Sequence, residues 1–400
     1  MRFASRTQTT LRSARSSWSI HSSASEMIGQ GEDVIILTVG DSDFASPVAA
    51  VEAISDSLAR GRTHYTDSAG DQPLREAIAR HHGRVIGREV TPNQVVVTIG
   101  AQNALMTAAL CLLDQGDEVI VPEPMYSTYP GTIAMAGAST IAVPSPAAMG
   151  FRPSIDAIAS SVTPRTRAIF LATPNNPTGA VYRAEELDQI GRICRRHELW
   201  LVSDEVYGSL VYEGRHVSPG ALDHLADRTV TINSLSKSHA MAGWRLGWMV
   251  APPALAEHAS RVTGFVTYGI PTFVQDAAIA TLEKHPNGVA ELKEAYARRR
   301  SRLCDLLSNL PGIVPHRPDG GMFVMLDVRG TNLSSFDVAS GLLHRHRVAV
   351  LPADDFGASA SGYLRINLGA TDEELDEAAA RIAQYAYELA DRREAALANP

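Results

Sequence analysis

The chain has 400 residues, 45% of them apolar and 20% charged, and carries a net charge of −8. This is enough chain for two packed units of ordinary globular composition, and its acid excess argues against nucleic acid as the main partner, since neutralising phosphates needs a basic surface. No apolar run is long enough to span a membrane, and three scattered cysteines (Cys111, Cys194, Cys304) without a CxxC pair point away from a disulfide framework or a zinc site and towards a reducing cytoplasm.

The first 25 residues hold Arg2, Arg6, Arg12 and Arg15 among many Ser and Thr, with no acid before Glu26. The composition is like that of an organelle transit peptide. The preferred reading is an N-terminal arm anchored by Trp18, Ile20 and Met27, because Ser19-Ile20-His21 leads to the apolar Val34–Leu37 without a linker. Next come short apolar runs that alternate with helical patterns. Gln94–Ile99 predicts a strand and Ala101–Leu113 a helix. Glu118–Val121, Ala168–Ala172, Leu199–Ser203 and Thr229–Ile232 predict further strands, with helical stretches such as Ala184–His197 between several of them. That alternation predicts an α/β unit with a mostly parallel sheet between helices. The end of the chain reads differently. A long amphipathic helix over Gly288–Leu310 precedes strands at Met322–Asp327, Val348–Leu351 and Tyr363–Leu368, and a final helix runs from about Asp372 to Leu397. The expected division is a large unit over 46–285 and a discontinuous α+β unit made of 1–45 and 286–400.

The chain contains only three lysines against 33 arginines. One of them, Lys237, lies in Asn233-Ser234-Leu235-Ser236-Lys237-Ser238-His239, with Arg245 eight residues on. A lysine can give up its proton and react with a carbonyl, which arginine cannot do. Ser234 and Arg245 are suited to holding a phosphate. Gly100-Ala101-Gln102-Asn103 joins a strand to a helix, where free N–H groups and the helix dipole favour an anion. Thr173-Pro174-Asn175-Asn176-Pro177-Thr178-Gly179 is a rigid turn that can fix Asn176. Ser203-Asp204-Glu205-Val206-Tyr207 puts Asp204 at the sheet edge where ligands bind, able to pair with a cation, with Tyr207 nearby. Each segment read alone is an ordinary turn or cap.

Their order and placement resemble the class I and II aminotransferases, fold type I enzymes that use pyridoxal 5'-phosphate, over residues 15 to 395. The resemblance implies a seven-stranded mostly parallel sheet with a smaller α+β domain, and an amino-group transfer between an amino acid and a 2-oxo acid. It implies that Lys237 binds the cofactor's aldehyde and moves the substrate proton, and that Asp204 pairs with the ring nitrogen. Asn176 and Tyr207 would hold the ring oxygen and Tyr126 would stack on the ring. Ser234, Arg245 and the Gly100, Ala101 and Gln102 backbone would hold the phosphate, and Tyr65 would reach it from a second copy in a homodimer. Arg365, in Tyr363-Leu364-Arg365-Ile366, would clamp the substrate carboxylate with help from Gly40 and Asn176, and Trp18 could cover the pocket. No metal is expected. His239 reads as a packing residue and Tyr129 as support for the ring site or simple packing.

Two turns depart from the family pattern: Gly40-Asp41-Ser42-Asp43-Phe44 and Pro352-Ala353-Asp354-Asp355-Phe356-Gly357. No arginine occupies Gly264–Pro271, where aspartate-specific members bind a distal carboxylate. Longer stretches, among them Trp18–His21, Glu123–Tyr126, Ser234–Trp248 and Arg317–Met325, resemble the bacterial arginine–pyruvate transaminases. A related reading is an aminotransferase for an arginine-derived cyclic amino acid such as enduracididine, in an antibiotic pathway. Either donor carries a guanidine, which Asp41, Asp43, Glu123, Asp354 or Asp355 could receive. The alternatives on this fold are an arginine oxidase or hydroxylase, a β-lyase, and a ligand-sensing regulator with a DNA-binding domain ahead of it.

Overall fold

A computed structural model describes residues 17–398, so the arginine- and serine-rich stretch before Ser17 lies outside the described residues. The chain opens with α1 (Ser17–Gly29) and β1 (Ile35–Ile36). The next elements are α2 (Val48–Ala59), α3 (Gln72–Ile86), β2 (Val95–Ile99), α4 (Gly100–Leu112), β3 (Glu118–Glu123), α5 (Tyr129–Met135), β4 (Ser139–Pro144) and α6 (Ile155–Ser160). They continue through β5 (Thr166–Ala172), α7 (Ala184–Arg196), β6 (Trp200–Asp204), β7 (Thr229–Ser234), β8 (Leu246–Val250), α8 (Pro253–Val266) and α9 (Thr272–Lys284). The last part holds α10 (Ala290–Leu306), β9 (Val314–His316), β10 (Phe323–Asp327), α11 (Ser335–His346), β11 (Val348–Ala349), β12 (Leu351–Pro352), β13 (Tyr363–Asn367) and α12 (Asp372–Ala398).

Seven strands form one sheet in the order β2-β8-β7-β6-β5-β3-β4. Pairs from β4 through β7 are parallel, and β8 runs antiparallel to both its neighbours. The inner parallel strands β3, β5, β6 and β7 are buried on both faces, which is why Val, Ile and Leu run through them without alternation. Helix α7 shows how the covering works. Leu187, Ile190, Ile193 and Cys194 are buried, Glu185 and Glu186 sit in the first turn, and Arg195 and Arg196 in the last, so its charges oppose the helix dipole. The chain from α10 onward builds a four-stranded antiparallel sheet, β12-β13-β10-β9.

Two expectations shift. The Ser-rich arm is a helix, α1, whose Ile20, Ala24 and Met27 recur on one face and pack into the same core as α10, α11 and α12. The Val348–Leu351 run divides into two short strands: β11 pairs in parallel with β1, and β12 joins the four-stranded sheet.

Arg299 of α10 ties these parts together. Its side chain is buried and donates to both Asp43 oxygens at 2.8 and 2.7 Å, to Asp372 Oδ1 at 2.6 Å and to the Leu368 carbonyl at 3.3 Å. It therefore joins the loop after β1 to the N-terminus of α12. Removing one member of a buried ion pair leaves its partners with uncompensated charge. Arg299→Ala is expected to lower the unfolding free energy by about 3 kcal/mol, the low end for such pairs because Asp372 is partly exposed. A urea midpoint within error of the parent's would refute this.

Candidate active site

At the carboxyl ends of β5, β6 and β7 lies a cleft with about 610 Å³ of open space. Ligands collect at such strand ends because the helix N-termini and loop backbones there are free to bind them. Ala101, Gln102, Tyr126, Asn176, Asp204, Tyr207, Ser234, Lys237 and Arg245 line it, all expected from the sequence. Leu105, Ala172, Val206 and Ser236 complete the wall without a signal in the sequence.

The turn from β2 into α4 is shaped by two glycines. Gly100 has φ 71°, and a Cβ there would lie 2.5 Å from the Arg245 guanidinium. Gly247 on β8 backs the turn, where a Cβ would stand 2.5 Å from the Gly100 carbonyl carbon. The backbone N–H groups at the start of α4 are thereby held beside Arg245, an arrangement that suits a phosphate.

Asp204 ends β6 and is almost fully buried. The Tyr129 hydroxyl donates to its Oδ2 at 3.0 Å and the Val206 N–H to its Oδ1 at 3.3 Å. Burial pushes its carboxyl up to about 6, against the pull of those hydrogen bonds. Tyr129 thus supports the acid directly, and its own hydroxyl, raised well above its ordinary value by burial and by Asp204, stays a donor. Tyr207 and Tyr126 are raised as well, chiefly by burial.

Lys237 donates to the Gly40 carbonyl. Burial lowers the pKa of its amine, opposed by Asp41 and aided by the positive charges of Arg365 and Arg245. A Cβ on Gly40 would stand 2.7 Å from the Phe323 ring, so glycine lets the loop after β1 lie close to it.

Arg365 on β13 is 4% exposed, yet it has only neutral acceptors: Asn176 Oδ1 at 3.0 Å and the Thr38 carbonyl at 2.6 Å. Its Nε has no hydrogen-bond partner, and its guanidinium lies 4.1 Å from the Phe323 ring centre and 5.0 Å from that of Phe356. Burial lowers its pKa to about 10. An unpaired buried cation is costly, so the site is built for an arriving anion. Thr38, Phe323 and Phe356, which hold this arginine, lie inside stretches singled out in the sequence, but nothing there showed their role.

Trp18 and Tyr65 do not line the cleft. Trp18 is 41% exposed and meets His21 edge-on, and His21 Nδ1 lies 2.8 Å from Thr38 Oγ1. Tyr65 is 86% exposed and packs on Tyr268 in a separate groove. Asp43 is corrected as a receptor for substrate: Arg299 takes both its oxygens. Glu123 accepts from the Ala358 N–H at 3.1 Å and Ser359 Oγ at 3.3 Å. Asp354 accepts from Ser335 and Ser361, and Asp355 from the Ser17 N–H. Asp41 is exposed, with one oxygen taking the Ser42 N–H. His239 packs between Ser238 Oγ at 2.7 Å and the His285 carbonyl at 2.8 Å. Among the described residues no group of His, Cys, Asp and Glu could hold a metal.

An aldehyde-bearing, phosphorylated pyridine fits these residues. The lysine is uncharged more readily than usual, the carboxylate is buried without a cation, and the glycine turn leaves room beside Arg245. Comparison with known proteins agrees. Residues 32–382 match the family model for aminotransferase class I and II. An arginine–pyruvate transaminase of Pseudomonas aeruginosa is 46% identical over 389 residues, 97% of this chain and 99% of that one. The aspartate/prephenate aminotransferase of Thermus thermophilus is 36% identical, over 91% of this chain and 94% of its own. The solved aspartate aminotransferase of Thermus thermophilus with maleate superposes with a TM-score of 0.89 at 35% identity, covering 96% of this chain and all of that one (100%). That of Thermotoga maritima gives 0.90 at 33% identity, covering 96% and 99%. With the match running through both sheets and every strand end that lines the cleft, the chain belongs to the class I and II aminotransferases of fold type I, enzymes that use pyridoxal 5'-phosphate.

Proposed function

We propose that this aminotransferase takes its amino group from arginine or a related guanidino amino acid and passes it to pyruvate or a similar 2-oxo acid. The donor rests on the 46% identity, across 97% of the chain, to an arginine–pyruvate transaminase. The lack of an arginine in Gly264–Pro271 argues against a donor with a distal carboxylate. Asp41, Glu123, Asp354 and Asp355 remain candidates to receive the guanidinium. We further propose a cytoplasmic homodimer without nucleic-acid or membrane partners. Tyr65 supports the dimer, since its exposed ring could meet a phosphate only in a second copy. No helix among the described residues is long and apolar enough to cross a membrane, and all three cysteines are free thiols.

The observation that carries the site is Arg365, a buried guanidinium with only neutral acceptors. An α-carboxylate would give it a planar partner for two parallel hydrogen bonds. Gly40 and Asn176 would border the same group, with Trp18 covering the entrance. Lys237 would hold the cofactor's aldehyde carbon and, as a free amine, move the proton at the substrate Cα. Asp204 would pair with the ring nitrogen, Asn176 and Tyr207 would hold the ring oxygen, and Tyr126 would stack on the ring. Ser234, Arg245 and the backbone of Gly100, Ala101 and Gln102 would bind the phosphate. When bound, pyridoxal phosphate supplies a protonated ring that takes up the electrons left as the Cα–H bond breaks.

Adding L-arginine without oxygen is expected to release one equivalent of oxo acid per site, and pyruvate then to sustain turnover. A requirement for oxygen, or a preference for aspartate, would overturn the donor assignment. In Lys237→Ala, borohydride should fix no cofactor mass on the peptide spanning position 237, and turnover should fall at least about 1,000-fold. Wild-type protein that also acquires no such mass would sink the role of Lys237. Arg365→Lys should raise KM for the amino acid by about 10- to 100-fold while the bound cofactor's absorbance stays unchanged, because a point charge replaces a planar fork. An unchanged KM would remove Arg365 from the substrate site.

A further inference from the structure

Consecutive residues at the end of β6 face opposite sides of the sheet. Asp204 lines the cofactor cleft, and Glu205 lines a second cavity behind it. Glu205 is 2% exposed, and its N–H still makes the sheet bond to the Ile232 carbonyl at 2.8 Å. Its carboxylate is fully engaged. Oε2 lies 2.9 Å from His216 Nε2, and Oε1 accepts from Ser218 Oγ at 2.8 Å. His216 presses on the chain at Gly208, where a Cβ would approach the imidazole to 3.1 Å. The other ring nitrogen of His216, Nδ1, is buried without a hydrogen-bond partner, and His216 forms part of the second cavity's wall. Nothing in the chemistry assigned above uses this network.

We propose that Glu205 is a positioning residue for the cofactor's ring. Its anion, clamped by His216 and Ser218, fixes the strand end that carries Asp204 and adds negative charge behind it. The inference rests on the reading that Asp204 pairs with the ring nitrogen. A buried carboxylate needs this clamp to persist as an anion. Burial opposes ionisation of Glu205, but His216, His82 and Ser218 outweigh it and hold its carboxyl below the usual carboxylate range. The titratable and charged groups that share this cavity wall with the pair are His81, His82, Arg215, His239 and Lys293. Burial lowers the pKa of His82 on α3, with Glu205 pulling the other way and Arg88 adding to the fall. On the cleft side Asp204 feels Tyr129 and Glu205, and the phenols of Tyr126 and Tyr207 feel Asp204 in turn. Negative charge from Glu205 works against ionisation of Asp204 and in favour of any cation paired with it.

The test is a pH titration of the bound cofactor's visible absorbance in holoenzyme. Glu205→Gln keeps the shape and the hydrogen bonds but removes the anion. His216→Gln keeps a donor to Glu205 and leaves the anion in place. The midpoint of Glu205→Gln is expected at least about half a pH unit below that of His216→Gln, because only the first loses negative charge behind the ring. Equal midpoints, or the reverse order, in coloured protein overturn the proposal, since a purely structural network would move both variants alike. Should Glu205→Gln not fold, Ser218→Ala decides: it takes one of the two clamps from the anion, so its midpoint is expected below the wild-type value, and an unmoved midpoint overturns the proposal. Wild-type protein with no visible band would instead overturn the cofactor reading on which this rests.

Discussion

A guanidinium buried without a counterion is the constraint around which the molecule is arranged. Arg365 is held on β13 by a sheet that the last part of the chain builds, and it points to acceptors from elsewhere: the Thr38 carbonyl after β1 and Asn176 after β5. Neither the seven-stranded sheet nor the four-stranded one contains the site alone. The aromatic rings of Phe323 and Phe356 keep water from the arginine while offering their faces to its charge. That arrangement tolerates an unpaired cation and would favour an anion brought to it.

The other half of the site follows from where parallel strands end. Helix starts and strand ends meet along one edge of the large sheet, so Ala101, Asn176, Asp204 and Ser234 reach one cleft although they are far apart in sequence. The antiparallel β8 contributes differently. It carries Gly247 beneath the first turn of α4, and just before it Arg245 sits in the left-handed region at φ 55°. Backbone that close to backbone leaves no space for a side chain. The turn proposed to hold the phosphate is thus shaped from behind by a residue that would never touch the ligand.

Much of this was legible in the sequence, for identifiable reasons. Strands buried on both faces read as continuous apolar runs, so Ala168–Ala172 and Thr229–Ile232 fall inside β5 and β7. The Lys237 segment and Asp204-Glu205-Val206-Tyr207 have a recognisable order, and Ser234, Lys237, Asp204 and Tyr207 of them line the cleft. What was hidden was hidden by context. Helix α1 is rich in serine, a poor helix former, and is held by the packing of Ile20, Ala24 and Met27. Asp43 looked as available to a substrate as Asp41 until Arg299, 256 residues away, took both its oxygens. Glu205 carried no reading of its own, because sequence adjacency to Asp204 conceals that neighbours in a strand face opposite sides.

The charges in the cleft close the argument. Lys237, Arg245 and Arg365 bring three cationic groups to one region, against one buried carboxylate, Asp204. Left alone, the set is unbalanced in both directions: the arginine loses basicity, the lysine gives up its proton more readily, and the aspartate is reluctant to ionise. Each strain has the opposite sign to the group that would relieve it. In the proposed roles, a phosphate would answer Arg245, a carboxylate would answer Arg365, and a protonated ring nitrogen would answer Asp204. The one group left without a charged partner is the Lys237 amine, and an uncharged amine is what carbonyl chemistry and proton transfer require. The mismatch of charges in the cleft is therefore the same feature as its reactivity.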